Sequence, residues 1–584
     1  MIYKNHIKVL HINLRSKRIR IEHRDDLIPY IGGTGVASKL LEENMLPDLE
    51  PTHPDQPIVF AIGPFTALYP VMTKAVAVFI SPLTGEYGES HAGGRFGMAM
   101  FNCGYDAIVI TGGSRKPTFL DIDNNNVAFK DARVIWKTGR DIVAKVVRGR
   151  ETASGKRTIV HIGRSGENLV SFANVTVDKY RHFGRIGLGA LFGSKHLKAI
   201  TLMGDRSVPV IKYKEYLKTF REILHKCTST DLMTKYHDVG TPINVAPLNT
   251  MNALPSYNLQ RSSVDYVDEV SGERFANDFL VRKVSCAGCP VGCVHIGQFR
   301  RAFAEHGHEY EVVSVAYDYE LIFALGTFLG VSHPANILEL IEEVEIEGMD
   351  AMSAGVCLGW ATEAYSKGVI TDMETIVPLE FGNWENYKQA IIYLGSAKNE
   401  FYVNLGKGVR HASSVYGGGD YAMHVAGNEM AGYHTGYGSL VGATVAARHS
   451  HLCNAGYSID QSMTEFNADE MVDWLFTEEL ERNVTNSLVM CLFARKIYDN
   501  DTIISAFDAI DVKVTKEDLE RSSKLIYQTK LRIKKALGFD LSDVKLPKRN
   551  FETPSFHGVL DEETTYNMIE KYKAKAEALL REVI

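Results

Sequence analysis

The hydrophobic period of this chain changes near residue 208, and that change limits the architectures open to it. Before it, short β-branched runs bounded by Gly and Pro recur: KVLHINL, PIVFAIG, AVAVFIS, DAIVITG, PTFLDID and TIVHIG. After it the period lengthens, as in ANILELIEEVEIEG, where Ile337, Leu340, Ile341 and Val344 recur at helical spacing with acids between them. The pattern predicts an α+β protein: a β-rich N-terminal domain over 1–208, then mainly helical domains over 209–415 and 416–584. The second boundary rests on the Gly417-Gly418-Gly419 run. Thr515 followed by Asp518 predicts a helix start, Lys530 to Lys535 its positively charged last turn, and Gly538 its stop.

Composition closes off several function classes. With 584 residues, 45% hydrophobic and 23% charged, the chain is globular and multi-domain, not disordered, collagenous or a coiled coil. Its 64 Lys and Arg against 71 Asp and Glu leave a net charge of −7, which argues against general affinity for nucleic acid or anionic membrane. Small molecules and proteins are the expected partners. The start, MIYKNHIKVL, has no signal-peptide pattern, and the longest mostly apolar window, Leu321 to Val331, is about half the ~20 residues of a membrane span. A cytoplasmic protein without a membrane span is expected.

Eight cysteines are too few for a disulfide scaffold, but three of them crowd into CAGCPVGC at 286–293. Cys286, Cys289 and Cys293, spaced C-x2-C-x3-C, bring three thiolates to one point. A [4Fe-4S] cluster fits that loop if a fourth thiolate arrives from elsewhere, and Cys491 is the candidate. A zinc site completed by His295 or a later Cys is the alternative. Glycine-dense segments such as Ala92-Gly93-Gly94-Arg95 and Gly184-Arg185 let backbone N–H groups approach an anionic planar cofactor while Arg and Lys supply charge. Taken singly, each also reads as a tight turn between strands.

These motifs fall in a longer ordered series. IGGTGVASKLL (31–41), AIGPFTA (61–67), SPLTGEYGESHAGGRFG (81–97), GYDAIVITG (104–112), FGRIGLGALFGSKHLKAI (183–200), CAGCPVGC, EYE (309–311), DAMSAG (350–355), ATVAARHSHLCNAG (443–456), NSLVMC (486–491) and LPKR (546–549) together resemble the tungsten-containing aldehyde:ferredoxin oxidoreductase family. The resemblance implies tungsten, or molybdenum, held by two pterins beside one [4Fe-4S] cluster, with Mg2+ bridging the pterin phosphates as an option. It implies an N-terminal β domain forming the base of the bis-pterin site under two helical domains. Lys74, His91, Gly93, Gly94, Arg95, Gly184 and Arg185 would line the N-terminal side of the pterins. Asp350, Ser353 and Gly355 would form a second loop, and Asn486, Leu488 and Met490 a third that ends at Cys491. His91 and Asn486 stand where the family usually has Asn and Asp.

The resemblance also assigns catalysis: Glu311 as general base, and His451 as hydrogen-bond donor and acid toward the substrate oxygen. His449, His308 and Glu309 are neighbours that a one-residue shift would promote, and Cys357 lies near enough to the first helical pterin loop to be considered as a metal ligand. The implied reaction is oxidation of an aldehyde to a carboxylic acid with water, with electrons leaving through the cluster to ferredoxin or a similar iron–sulfur subunit. A low-potential catalytic subunit like that of class II benzoyl-CoA reductase is the alternative within the enzyme class. A non-catalytic zinc-stabilised binding protein is the alternative outside it. The E-x-x-H pair that bridges some family subunits has no close match, so homodimerisation is left open.

Overall fold

The computed structural model describes residues 5–151, 157–207, 210, 212–302 and 309–584. All six β-branched runs singled out above form strands. They belong to two six-stranded sheets. The first runs, edge to edge, through Arg18–Arg24, Ile7–Asn13, Ala107–Thr111, Ile58–Ala61, Ala75–Ile80 and Tyr87–Ala92; only Ile7–Asn13 and Ala107–Thr111 are parallel neighbours. The second runs through Arg181–Phe183, Val175–Val177, Thr158–His161, Leu197–Met203, Thr118–Asp123 and Asn126–Asp131. Ala75–Ile80 is buried at every residue, which is why AVAVFI reads as a continuous apolar run and does not alternate. Phe60 of the first sheet meets Phe96 at 5.2 Å and Phe183 of the second at 5.4 Å, so aromatic packing joins the two sheets.

Beyond Met203 the protein is mainly helical. Thr515 and Asp518 form a reciprocal capping box on the helix Lys516–Ala536, and Gly538 follows it at φ +80°. Two small sheets depart from the helical expectation: Leu280–Val284, Val294–Ala302 and Tyr310–Tyr317 form a three-stranded antiparallel sheet, and His424–Val425 pairs with Asn428–Glu429. The cysteine segment is the turn of the first hairpin of the three-stranded sheet.

The proposed boundary near 208 lies outside the described residues. Near the other, buried side chains through Met423 pack with the second sheet and the helices that follow it, whereas from Val425 onward they pack against the opposite face of the first sheet. A further apolar cluster draws on Phe65–Met72, Ile223, Met233, Val291 and helices between 484 and 519. It gathers three distant stretches of chain around the cysteines. No single helix among the described residues is long and apolar enough to cross a membrane.

Candidate active site

Val71 ties Cys491 to the CAGCPVGC turn. Its carbonyl accepts from Cys491 N at 3.1 Å and its N–H donates to Gly288 O at 3.2 Å, while Ala287 N donates to Gly94 O at 2.9 Å. Gly93 is required there, because a Cβ would lie 2.7 Å from Cys286 Sγ. Burial pushes the Cys289 thiol up to about 12 and Cys293 to about 11, with the neighbouring thiolates adding to the effect. Burial acts on Cys286 too, but Arg181 and Lys74 outweigh it and hold that thiol below its usual value. Cys289 and Cys293 both sense Cys286 and Cys491, and with two cations beside Cys286 the four thiols form a donor set suited to an anionic sulfide cluster. His295, the alternative zinc ligand, has Nε2 3.0 Å from the His237 carbonyl. Among the described residues no three His, Cys, Asp or Glu side chains are drawn together as a single ion requires.

A cavity of about 270 Å³ opens beside Cys491. Lys74, Arg185 and Arg448 supply positive charge, Asn486 an amide, and Glu89 and His91 project from the strand Tyr87–Ala92. Gly184 and Met490 also line it. Arg448 and Glu89 lie within quoted stretches, ATVAARHSHLCNAG and SPLTGEYGESHAGGRFG, but were not singled out, because nothing in the string says which side chains of a stretch face the cavity. The Asn428 Oδ1 atom is buried without a partner among the described residues, an acceptor of the kind a pterin amine needs. The cations and this orphan acceptor fit an anionic, amine-bearing planar cofactor.

Several residues expected at the cofactor are used otherwise. Arg95 is exposed and faces a separate cavity with Arg206. Gly355 lies inside the helix Ala351–Ser366, where a Cβ would come within 2.2 Å of Ala324 O, so it permits close helix packing and not cofactor approach. Leu488 is fully buried in the apolar cluster described above. Asp350 is the N-cap of Ala351–Ser366. It accepts from Met352 N at 3.1 Å, from Ser353 Oγ at 2.6 Å and from Arg185 Nε at 2.9 Å. Asp350 therefore fixes Arg185, and Arg185 reaches the cavity. Cys357 is fully buried, its thiol 3.8 Å from Glu429 and 3.9 Å from the Leu405 carbonyl; burial raises its pKa well above the usual thiol value.

The catalytic pair requires a correction. Glu311 sits on the partly exposed strand Tyr310–Tyr317, ion-paired with Arg301 across the hairpin. It lies six residues, about 20 Å along the strand, from Tyr317, where the chain turns inward. His308 lies outside the described residues. The carboxylate that meets His451 is Glu320, on the short helix Tyr319–Leu325, with Oε1 3.2 Å from His451 Nε2. Burial pushes the Glu320 carboxyl up to about 8 and, with Arg185 and Arg448 nearby, takes His451 down to about 3. Glu320 Oε1 and His451 Nδ1 are buried without hydrogen-bond partners among the described residues. The one hint in the sequence was the position of Glu320, a single acid at the head of the longest apolar window.

His449, two residues earlier, belongs to a different network. Glu86 Oε2 lies 3.1 Å from His449 Nε2 and 2.6 Å from Lys534 Nζ, and Glu89 Oε2 lies 2.8 Å from Lys530 Nζ. The lysines expected to face the last helical turn thus neutralise buried acids of the first sheet.

Comparison with known proteins shows the family. Residues 9–204 match the N-terminal domain of aldehyde ferredoxin oxidoreductase, and 218–576 match its domains 2 and 3. The tungsten-containing aldehyde ferredoxin oxidoreductase of Pyrococcus furiosus is 30% identical over 95% of this chain and 93% of its own length; that of Thermococcus kodakarensis is 29% identical over the same shares. The WOR-like subunit of an aliphatic sulfonate oxidoreductase from Pyrococcus furiosus is 29% identical over 73% of this chain and 70% of its own. The solved active-site complex BamBC of benzoyl coenzyme A reductase, bound to 1,5-dienoyl-CoA, shares the fold, with a TM-score of 0.79 at 19% identity over 97% of this chain and 94% of that one. The chain belongs to the aldehyde ferredoxin oxidoreductase family.

Proposed function

We propose that this protein is a tungsten bis-pterin oxidoreductase that oxidises an aldehyde to a carboxylic acid with water and passes the electrons to a ferredoxin-type iron–sulfur protein. The observation that carries the reading is the buried Glu320–His451 pair beside a cationic cavity that adjoins four convergent cysteines. Lys74, Arg185, Arg448, Asn428 and Asn486 would hold the pterins, and Cys286, Cys289, Cys293 and Cys491 a [4Fe-4S] cluster. When bound, the metal would accept two electrons from the substrate and the cluster would pass them on singly.

The chain's own residues handle protons and orientation. With its carboxyl near 8, Glu320 is mostly protonated at pH 7 and becomes a general base as it ionises. Neutral His451 holds the substrate oxygen through a ring nitrogen. The Tyr433 and Tyr457 rings lie 5.2 and 6.0 Å from the His451 ring, so the pair acts at short range in a lower dielectric than water.

Anaerobically purified protein tests the proposal directly. About four irons, one tungsten and two pterins per chain, together with aldehyde-dependent reduction of a low-potential dye, are expected. Cys289→Ala is expected to lose the iron. Zinc without pterin, or a fully loaded protein inert toward every aldehyde tried, would overturn it.

A further inference from the structure

A second cavity, of about 150 Å³, lies on the far side of His182 and Phe493, two side chains that also line the main cavity. Its wall includes Cys293, Tyr317, Asp318 and Glu345. Three polar atoms of its lining residues are buried without well-formed hydrogen bonds among the described residues: Tyr317 Oη, on a side chain 3% exposed, Arg181 Nε and His182 Nε2. Polar atoms buried in this way are normally satisfied by ordered water, and the chamber has room for several molecules. At the rim, Tyr180 and Ala316 are partly exposed, so the chamber reaches the surface.

The acids of this chamber form a series with the catalytic pair. Asp318 caps the helix that carries Glu320, accepting from Leu321 N at 3.3 Å, and its charge is felt at Glu320. On its other side Asp318 senses Glu345, whose Oε2 lies 2.7 Å from His182 Nε2 and which also pairs with Arg140. The two acids are poised oppositely. Burial lifts the Asp318 carboxyl above the usual range, whereas His182 and Arg140 outweigh burial at Glu345 and hold it below.

The geometry points to a hydrated proton chamber in which Asp318 and Glu345 carry protons released at Glu320 toward solvent, alongside the route by which electrons leave through the cysteines. This rests on the proposed aldehyde oxidation. Converting an aldehyde and water to a carboxylate yields two electrons and three protons. The iron–sulfur acceptor takes the electrons, and the protons need a path from Glu320 to solvent. Each proton moves by exchange along carboxyl groups and water, and no other bond is made or broken. Asp318 touches neither substrate nor cofactor and acts through Glu320, so it is a positioning residue.

Asp318→Asn keeps the helix cap and removes the exchangeable proton. In the loaded holoenzyme it is expected to lower kcat by about tenfold, the low side of a proton-transfer contribution. KM for the aldehyde and the iron content should stay unchanged, and added formate, a small proton carrier, should restore most of the rate. An unchanged kcat, or a loss that formate does not relieve, overturns the relay. If that variant does not fold, Glu345→Gln is read by the same criteria. A high-resolution crystal structure tests the chamber without turnover: ordered water within hydrogen-bond distance of Tyr317 Oη and Asp318 is expected, and a dry cavity overturns the proposal. A hydrated chamber in a protein inert toward aldehydes would instead refute the proposed substrate class.

Discussion

Glu86–His449 and Glu320–His451 are two carboxylate–imidazole contacts made by one stretch of chain, RHSHLC, and they behave in opposite ways. Both acids are withdrawn from water. Lys534 stands 2.6 Å from Glu86, and with His449 it outweighs burial and holds that carboxyl down to about 2. Among the described residues Glu320 has no Lys or Arg at that distance, and burial takes its carboxyl up to about 8. A compensated acid holds the fold together, whereas an uncompensated one keeps a proton in play near neutral pH. The same contrast gives opposite linkage. Glu86 contributes stability above its unfolded value of about 4.5, lost as pH falls toward 2, while Glu320 contributes destabilisation that grows as pH rises from about 4.5 to 8.

That contrast can be broken at either end. Glu320→Gln should lower kcat by about 10²–10⁴-fold while metal and pterin contents hold and Tm at neutral pH stays level or rises, since the buried acid's cost is removed, measured by dye-linked kinetics and calorimetry. Retained turnover would remove Glu320 from catalysis. Lys534→Met strands Glu86 as a buried, unpaired charge and should cost about 3–5 kcal/mol of stability, read from denaturant or thermal unfolding. A loss below about 1 kcal/mol would mean that Glu86 reaches solvent. In the wild type, ionisation of Glu320 should raise kcat by about tenfold from pH 7 to pH 9, because a group titrating near 8 is about 9% ionised at the first and about 91% at the second. A flat profile would contradict its role as base. Glu311→Gln should change turnover less than about twofold, since that acid lies on the hairpin surface with Arg301.

Much of the scaffold was legible because it is written locally. A β-branched run flanked by glycine, or a Thr515–Asp518 box, specifies its own backbone through side chains a few residues away. The cysteine spacing is likewise local, and only its fourth candidate had to be sought from a distance. Arg95, Gly355 and Leu488 were misplaced because a glycine or a cation in a loop-like string carries no record of what packs against it. Gly355 faces Ala324 of a neighbouring helix, a contact across thirty positions of sequence.

Sequence by itself determined six strands of the N-terminal sheets, the helix Lys516–Ala536 and the family. Tertiary structure decided which acid meets His451. Glu309, Glu311 and Glu320 are chemically equal in the string, but packing leaves the Glu320 side chain 19% exposed and against His451, whereas Glu311 is 37% exposed on the hairpin and Glu309 is exposed. It also turned Lys530 and Lys534 inward to Glu89 and Glu86, a pairing between the first sheet and the far end of the chain. Burial and charge compensation are properties of neighbours brought together over hundreds of residues. A carboxyl's affinity for its proton depends on those neighbours, and no local pattern encodes them.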